Sequence, residues 1–274
     1  MNVLSLMSRT AMVSCLSAVM AMSAALAQPA QKPFEPTVGQ DGKDVIWVPT
    51  PQALVDKMLD MARVTAADKL VDLGSGDGRT VITAAKRGAT ARGIEYNPKM
   101  VELSKYNAEK EGVAGKATFE NADIFKTDFS NADVVTLFLL TSLNAKLRPT
   151  ILDMKPGTRV VSNTFDMGEW KADEEAIVTE GCQSYCKAYF WIVPAKVDGT
   201  WNTDKGELSL KQTFQNFTGT LKNGNVITPV TGGKLKGNDI SFTAGGVEYT
   251  GKVNGSTIEG TTKSGDKWQA KRGA

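Results

Sequence analysis

Lys69-Leu70-Val71-Asp72-Leu73-Gly74-Ser75-Gly76-Asp77-Gly78-Arg79 passes from an apolar run through a glycine-rich bend into the start of a helical stretch. Leu70, Val71 and Leu73 give the first part the pattern of a short buried strand. Glycine at 74, 76 and 78 lets the backbone take positive φ, and lets a ligand approach where any Cβ would clash. The helix that opens at Arg79 presents N–H groups with no partner inside the helix.

Working outward, the same unit repeats. A helix over Arg79 to Arg87 stops at Gly88, a strand covers Ala91 to Glu95, and a helix over Pro98 to Glu111 stops at Gly112. Ala117 to Glu120, Asp133 to Leu140, a helix from Ser142 to Met154, and Arg159 to Phe165 continue the succession. Before the first strand, Leu54, Val55, Met58, Leu59 and Ala62 fall at helical spacing, with Pro51 near the first turn, where its missing N–H costs nothing. Strands alternating with helices imply an α/β fold: a parallel, doubly wound sheet covered on both faces and joined by right-handed crossovers.

Three carboxylates fall near successive strand ends: Asp72 on the first, Glu95 on the second, and Asp123 after the third in Asn121-Ala122-Asp123-Ile124. Glu95, about 20 residues past the bend, is placed to accept hydrogen bonds from both hydroxyls of a ribose. Asp123 is placed for an adenine amine, and Asp72 faces the other end of the ligand. Such a set suits a ligand carrying an ammonium and a sulfonium, and would repel a pyrophosphate. The dinucleotide fingerprint needs glycine at its sixth position, and here Arg79 stands there, which disfavours nicotinamide cofactors.

These residues carry a resemblance. Val71 to Gly78, Gly93-Ile94-Glu95, Ala122-Asp123-Ile124-Phe125, Val135 to Leu140 and Lys155 to Ser162 resemble class I S-adenosylmethionine-dependent methyltransferases, whose sheet is Rossmann-like. More narrowly, the chain is similar to the archaeal broad-specificity protein-lysine methyltransferases and to the mitochondrial lysine methyltransferases that modify the ATP synthase c-subunit and the adenine nucleotide translocase. Val48-Pro49-Thr50-Pro51 and Phe165 to Trp170 match pieces of that family on either side of the core, and the likeness runs from Trp47 to Pro194. It implies S-adenosyl-L-methionine as cofactor, held by Thr50, Asp72, Gly74, Ser75, Gly76, Glu95, Asp123 and Ile124. It also implies methyl transfer to a protein lysine or a small amine. Phe138, Thr141, Ser142 and Asn144, beyond the fourth strand, are the substrate-side candidates, with Phe138 open to a second reading as core. Thr141 departs from the family, which commonly has proline there. Asp166 and Glu169 are candidates for attracting an incoming ammonium.

Composition limits the chemistry further. Lys plus Arg number 32 against 30 Asp plus Glu, so no basic footprint marks a nucleic-acid partner. With no histidine in the chain, Ser-His-Asp and Cys-His catalysis and histidine metal sites drop out, and no metal is expected. Met1 to Arg9, the apolar Thr10 to Ala25, and Ala25-Leu26-Ala27 before Gln28 form an export signal over residues 1–27. Its apolar part falls short of the roughly 20 residues that span hydrocarbon, so the mature chain is expected in the periplasm or secreted, without a transmembrane segment. Residues 28–46 read as a linker rich in proline, glutamine and glycine. Cys182 and Cys186 leave two readings open, a disulfide in an oxidising compartment or two free thiols.

The sheet domain is expected over residues 47–195. From 196 to 274 the pattern changes to an all-β module. Gly233 to Ile240 recurs 18 residues later as Gly251 to Ile258, and Gly219 to Val226 is a looser copy, which reads as repeated hairpins. Trp201, Phe214, Phe217, Phe242, Tyr249 and Trp268 are its expected core. Two functions of different kind follow: a methyltransferase, or an exported module that binds a nucleoside-like ligand without turnover and docks through its β part.

Overall fold

A computed structural model describes residues 34–273; the export signal expected over 1–27 lies outside the described residues. The first half holds α1 (Gln52–Met61), β1 (Lys69–Leu73), α2 (Arg79–Lys86), β2 (Thr90–Glu95), α3 (Pro98–Lys110), β3 (Ala117–Asn121), β4 (Val134–Leu137), α4 (Thr141–Leu152) and β5 (Arg159–Asn163). Two more strands, β6 (Glu174–Ile177) and β7 (Lys187–Ile192), complete a seven-stranded sheet of order β3-β2-β1-β4-β5-β7-β6. The strands β1 to β5 pair in parallel, as the alternation requires, while β7 runs antiparallel to both β5 and β6.

β6 and β7 lie outside the alternation read from sequence. β6 is an edge strand of Glu-Glu-Ala-Ile with largely exposed side chains, so it carries no apolar signal.

Local chemistry explains where the elements begin. Asn97 caps α3 by accepting from the Lys99 N–H at 3.0 Å, with Pro98 at the first helical position. α2 starts after Gly78, which has φ +83°, and buries Val81, Ala84 and Ala85 against the sheet. Val71, Leu73, Val135, Leu137 and Val160 face a second core that takes in Leu147, Ile151, Trp170 and Trp191. The order reverses at β1, between β2 and β4, so the carboxyl ends of β1 and β4 open a crevice there.

Beyond residue 198 the chain forms β8 (Gly199–Thr203), β9 (Gly206–Thr213), β10 (Asn216–Asn223), β11 (Val226–Lys236), β12 (Asp239–Ala244), β13 (Val247–Asn254), β14 (Thr257–Thr262) and β15 (Lys267–Arg272). All pairs are antiparallel, and β8 meets both β9 and β15, which closes an eight-stranded barrel without a free edge. The internal repeat is a repeated hairpin: Lys236 pairs with Asp239 and Asn254 with Thr257, each across a turn that opens on a glycine of positive φ, Gly237 or Gly255. Phe242 stacks on Tyr249 at 4.8 Å, and Trp268 meets both rings edge-on at 5.5 Å. Trp201 and Phe217 share this interior. Phe214 does not. It turns outward at φ +55° and stacks on Trp170 of the sheet domain at 6.2 Å. The alternation of a regular strand would have put it inside, but it lies in the turn between β9 and β10. No helix among the described residues is long and apolar enough to cross a membrane.

Candidate functional site

The bend after β1 carries three glycines at positive φ, Gly74 (81°), Gly76 (53°) and Gly78 (83°). Its N–H groups are turned onto β2: those of Gly74 and Ser75 donate to the Ile94 carbonyl at 2.8 and 3.1 Å. The Gly76 N–H donates to Glu95 Oε2 at 3.0 Å, and the Asn97 N–H to Oε1 of the same carboxylate at 2.9 Å. Glu95 is thereby fixed against the bend. Gly93, which lies beside Asp72 in the sheet, has to be glycine because a Cβ there would lie 2.5 Å from Ser75 Oγ and 2.7 Å from the Phe119 ring.

Asp72 is 6% exposed, and it accepts a 2.6 Å hydrogen bond from its register partner Thr136 on β4. Burial pushes its carboxyl up to about 7; the Thr136 bond acts the other way, and the nearby Glu95 and Asp77 charges add to the rise. A carboxylate held in this condition is poised to take a cation. Ser75 Oγ, also buried, has no hydrogen-bond partner among the described residues, which leaves a polar atom at the bend free for a ligand.

These groups line a cavity of about 420 Å³ that reaches Asp123, Ile124, Phe138, Leu139 and Phe165. Thr50, Asp72, Gly74, Ser75, Gly76, Glu95, Asp123 and Ile124 all border it, so the eight residues singled out by sequence for the cofactor come together around one hollow. Asp123 accepts from Lys43 at 2.8 Å and from the Phe125 N–H at 3.0 Å; the Lys43 bond foremost holds its carboxyl below the usual range.

On the substrate side the outcome is divided. Phe138 borders the cavity, with Phe165 at 6.1 Å between ring centroids. Thr141, Ser142 and Asn144 do not. Thr141 and Ser142 open α4, with Ser142 exposed, and Asn144 is fully buried. Its amide donates to the carbonyls of Phe165 and Asp166, both at 3.1 Å, so it holds the turn after β5 and does not face a substrate. The helical pitch explains this: two residues after the exposed Ser142, a rotation of about 200° turns the Asn144 side chain inward, where its amide also meets Ser162 Oγ of β5 at 3.3 Å. Asp166 accepts from the Gly168 N–H, and neither it nor Glu169 reaches the cavity.

Sequence reasoning missed several lining residues. Gln40 to Ile46, read as the end of a linker, fold together with Trp47 and Val48 over the cavity as a strap. Two backbone bonds tie it: the Gly39 N–H to the Trp47 carbonyl and the Trp47 N–H to the Gln40 carbonyl, each 2.9 Å. Trp47 in a proline- and glycine-rich segment was the available signal. Asp77, which binds Arg79 at 2.6 Å, Tyr96, Met100 and Tyr185 complete the wall. The donor set fits a cationic adenosyl amino acid: buried carboxylate, acidic rim, and a bend in which glycine is needed at close approach.

Comparison with known proteins agrees with this geometry. The family model "ANTKMT methyltransferase domain" matches residues 72–174. A protein-lysine N-methyltransferase of Saccharolobus islandicus is 41% identical over 152 residues, covering 54% of this chain and 94% of the relative. The chain belongs to the protein-lysine N-methyltransferase family. The family is one of S-adenosylmethionine-dependent methyltransferases. Other members match over less of their length: the human ATP synthase C-subunit lysine N-methyltransferase is 37% identical over 128 residues, 46% of this chain and 54% of its own. Among solved structures, an RNA methyltransferase of Salinibacter ruber in complex with S-adenosyl-L-homocysteine is 45% identical, with a TM-score of 0.52 over 55% of this chain and 96% of that one. The matches to these three proteins each cover about half of the chain.

Proposed function

We propose that the protein transfers a methyl group from S-adenosylmethionine to the side-chain amine of a protein lysine. The observation that carries this is the buried, raised carboxyl of Asp72 at a glycine bend, with Glu95 and Asp123 on the same cavity wall. When bound, S-adenosylmethionine supplies a sulfonium methyl for in-line displacement by a nucleophile. Asp72 would hold the cofactor's ammonium, Glu95 its ribose hydroxyls, and Asp123 its adenine amine, with Ile124 and the strap residue Trp47 as apolar walls. Thr50 shapes the same wall through its carbonyl, which accepts from Arg79 at 2.9 Å.

A lysine with its ordinary value of about 10.4 must lose a proton to react, at a cost of about 4.6 kcal/mol near pH 7. Phe138, Leu139 and Phe165 give the acceptor an apolar surround that favours the neutral amine, and a sulfonium charge nearby acts in the same sense. With an apolar surround on this side, positioning supplies most of the rate. Near-balanced charge and an acidic cavity rim support a lysine acceptor over a nucleic acid.

Export is part of the proposal. A disulfide joins Cys182 and Cys186, which supports an oxidising compartment such as the periplasm, and mass spectrometry of the mature N-terminus should find Gln28. The function is tested by titrating the purified chain with S-adenosylhomocysteine and by following labelled methyl transfer to a lysine-rich protein. Binding that is lost in Asp72→Ala, with label on lysine, is expected; a chain that binds no S-adenosylhomocysteine would overturn the reading.

A further inference from the structure

The segment between β6 and β7 takes no part in the sheet. Residues 178–186 leave its edge, and the disulfide between Cys182 and Cys186 closes a small ring with Tyr185 inside it. Tyr185 has φ +56°, a conformation that side chains other than glycine seldom adopt. Its ring lies 5.3 Å from Phe138 and 6.3 Å from Phe165, and all three border the cavity beyond the carboxyl ends of β4 and β5. Tyr185 is 39% exposed, so it stands at the mouth, between cavity and solvent.

What holds Tyr185 there is narrow. Among the described residues, the Val178 N–H donates to the Cys186 carbonyl at 2.9 Å, and no other backbone hydrogen bond between residues ties the loop across 179–185. The Tyr185 hydroxyl makes no hydrogen bond among the described residues either, so the phenol is placed by its ring and not by its oxygen. With the disulfide closed, the loop has few conformations to lose when the ring packs; opened, it has many.

Three aromatic rings converging at the entrance of a cavity that also carries Asp72, Glu95 and Asp123 suit an alkyl chain that ends in a cationic or neutral amine. We propose that Tyr185, held in place by the Cys182–Cys186 disulfide, is the positioning residue for the acceptor: with Phe138 and Phe165 it receives the lysine side chain. This rests on the lysine methyltransferase reading and assigns it an acceptor-side determinant outside the core domain's strands.

The test uses the full chain saturated with S-adenosylhomocysteine and poly-L-lysine as the probe, followed by calorimetry at physiological salt, alongside KM and kcat for methyl transfer to the same polymer. Tyr185→Ala should weaken poly-L-lysine binding and raise its KM by about fivefold or more, with kcat and S-adenosylhomocysteine affinity unchanged, and Tyr185→Phe should keep wild-type values. Dithiothreitol, which takes the pair to two thiols while itself closing to a cyclic disulfide, should raise KM in the same direction, as should the double variant Cys182→Ser with Cys186→Ser. Wild-type acceptor affinity in Tyr185→Ala would overturn the proposal, as would cofactor-loaded wild type that takes no poly-L-lysine. An unchanged KM after reduction would overturn the role given to the disulfide. Loss of S-adenosylhomocysteine binding by the wild type would instead mark failure of the methyltransferase reading itself.

Discussion

The Thr136 hydroxyl makes the sole hydrogen bond that the Asp72 side chain accepts among the described residues, from the adjacent position of the neighbouring strand. Its 2.6 Å length does not offset burial, and the carboxyl stays raised at about 7 against an ordinary value of 3.8. A folded value above the unfolded one means that the folded state keeps a proton which the unfolded chain releases. The contribution of Asp72 to stability is therefore greatest below pH 4 and falls as pH rises toward 7, by on the order of 4 kcal/mol in all. Asp68 acts outside this window: burial opposes its ionisation, but bonds from Arg159 and Thr65 win and lower its value, so its contribution is lost only as pH falls below 4. Asp72→Asn should raise the melting temperature of the ligand-free protein at pH 8 and hardly change it at pH 4.5. Scanning calorimetry at the two pH values checks this.

The same proton governs ligand binding. If Asp72 must be ionised to hold an ammonium, affinity for S-adenosylhomocysteine is full above pH 7 and falls by up to tenfold for each unit below it. Titrations between pH 5.5 and 8.5 should show that slope in the wild type and lose it in Asp72→Asn. A flat wild-type profile would remove Asp72 from contact with the cation.

Gly93 marks where strand and bend touch. A methyl group at this position would press on Ser75 Oγ and the Phe119 ring, both under 3.0 Å away, and Phe119 is itself buried. Gly93→Ala should cost about 1–3 kcal/mol in urea denaturation, as overpacking does, and should also weaken S-adenosylhomocysteine binding because the bend is displaced. Gly112→Ala, in open space at φ +69°, is a control that should lower stability with no effect on the ligand.

Much of this architecture was written in local patterns. Short apolar runs, Pro98 at a helix start and Gly88 and Gly112 at helix ends marked the parallel sheet, because each is a short-range signal. The acidic residues were legible for the same reason, since a strand end fixes where its carboxylate stands. What stayed hidden depended on contacts distant in sequence. Asn144 reads as a polar residue near a site, and only the turn carrying Phe165 and Asp166 shows that its amide is consumed by their carbonyls. Tyr185 and Trp47 lie in segments without periodicity, and reach the cavity through a disulfide and a backbone clasp that no repeat announces.

The strap makes its own prediction. Lys43 binds Asp123 and stands 4.6 Å over the Tyr96 ring, so it joins the strap to the far wall of the cavity. Both partners lie near solvent, which makes the tie sensitive to salt. Lys43→Ala should speed the dissociation of S-adenosylhomocysteine severalfold and change its association little, as affinity differences within one site usually do. Stopped-flow displacement checks it, and the difference between variant and wild type should shrink as salt is raised.

Phe214 and Trp170 decide whether barrel and sheet unfold together. Trp170 is fully buried between Trp191 and Phe214, the Gln215 amide donates to the Lys171 carbonyl at 2.9 Å, and the Ala195 N–H donates to the Gly237 carbonyl at 2.8 Å. Removing the barrel would thus expose aromatic surface of the sheet domain's own core. Phe214→Ala should destabilise by about 2 kcal/mol, less than a fully enclosed phenylalanine because this ring is only partly buried. A cooperative interface shifts both halves alike: unfolding followed by far-ultraviolet circular dichroism and by tryptophan fluorescence should coincide in the wild type and move together in the variant. Two separated transitions in the wild type would show instead that the halves are energetically independent.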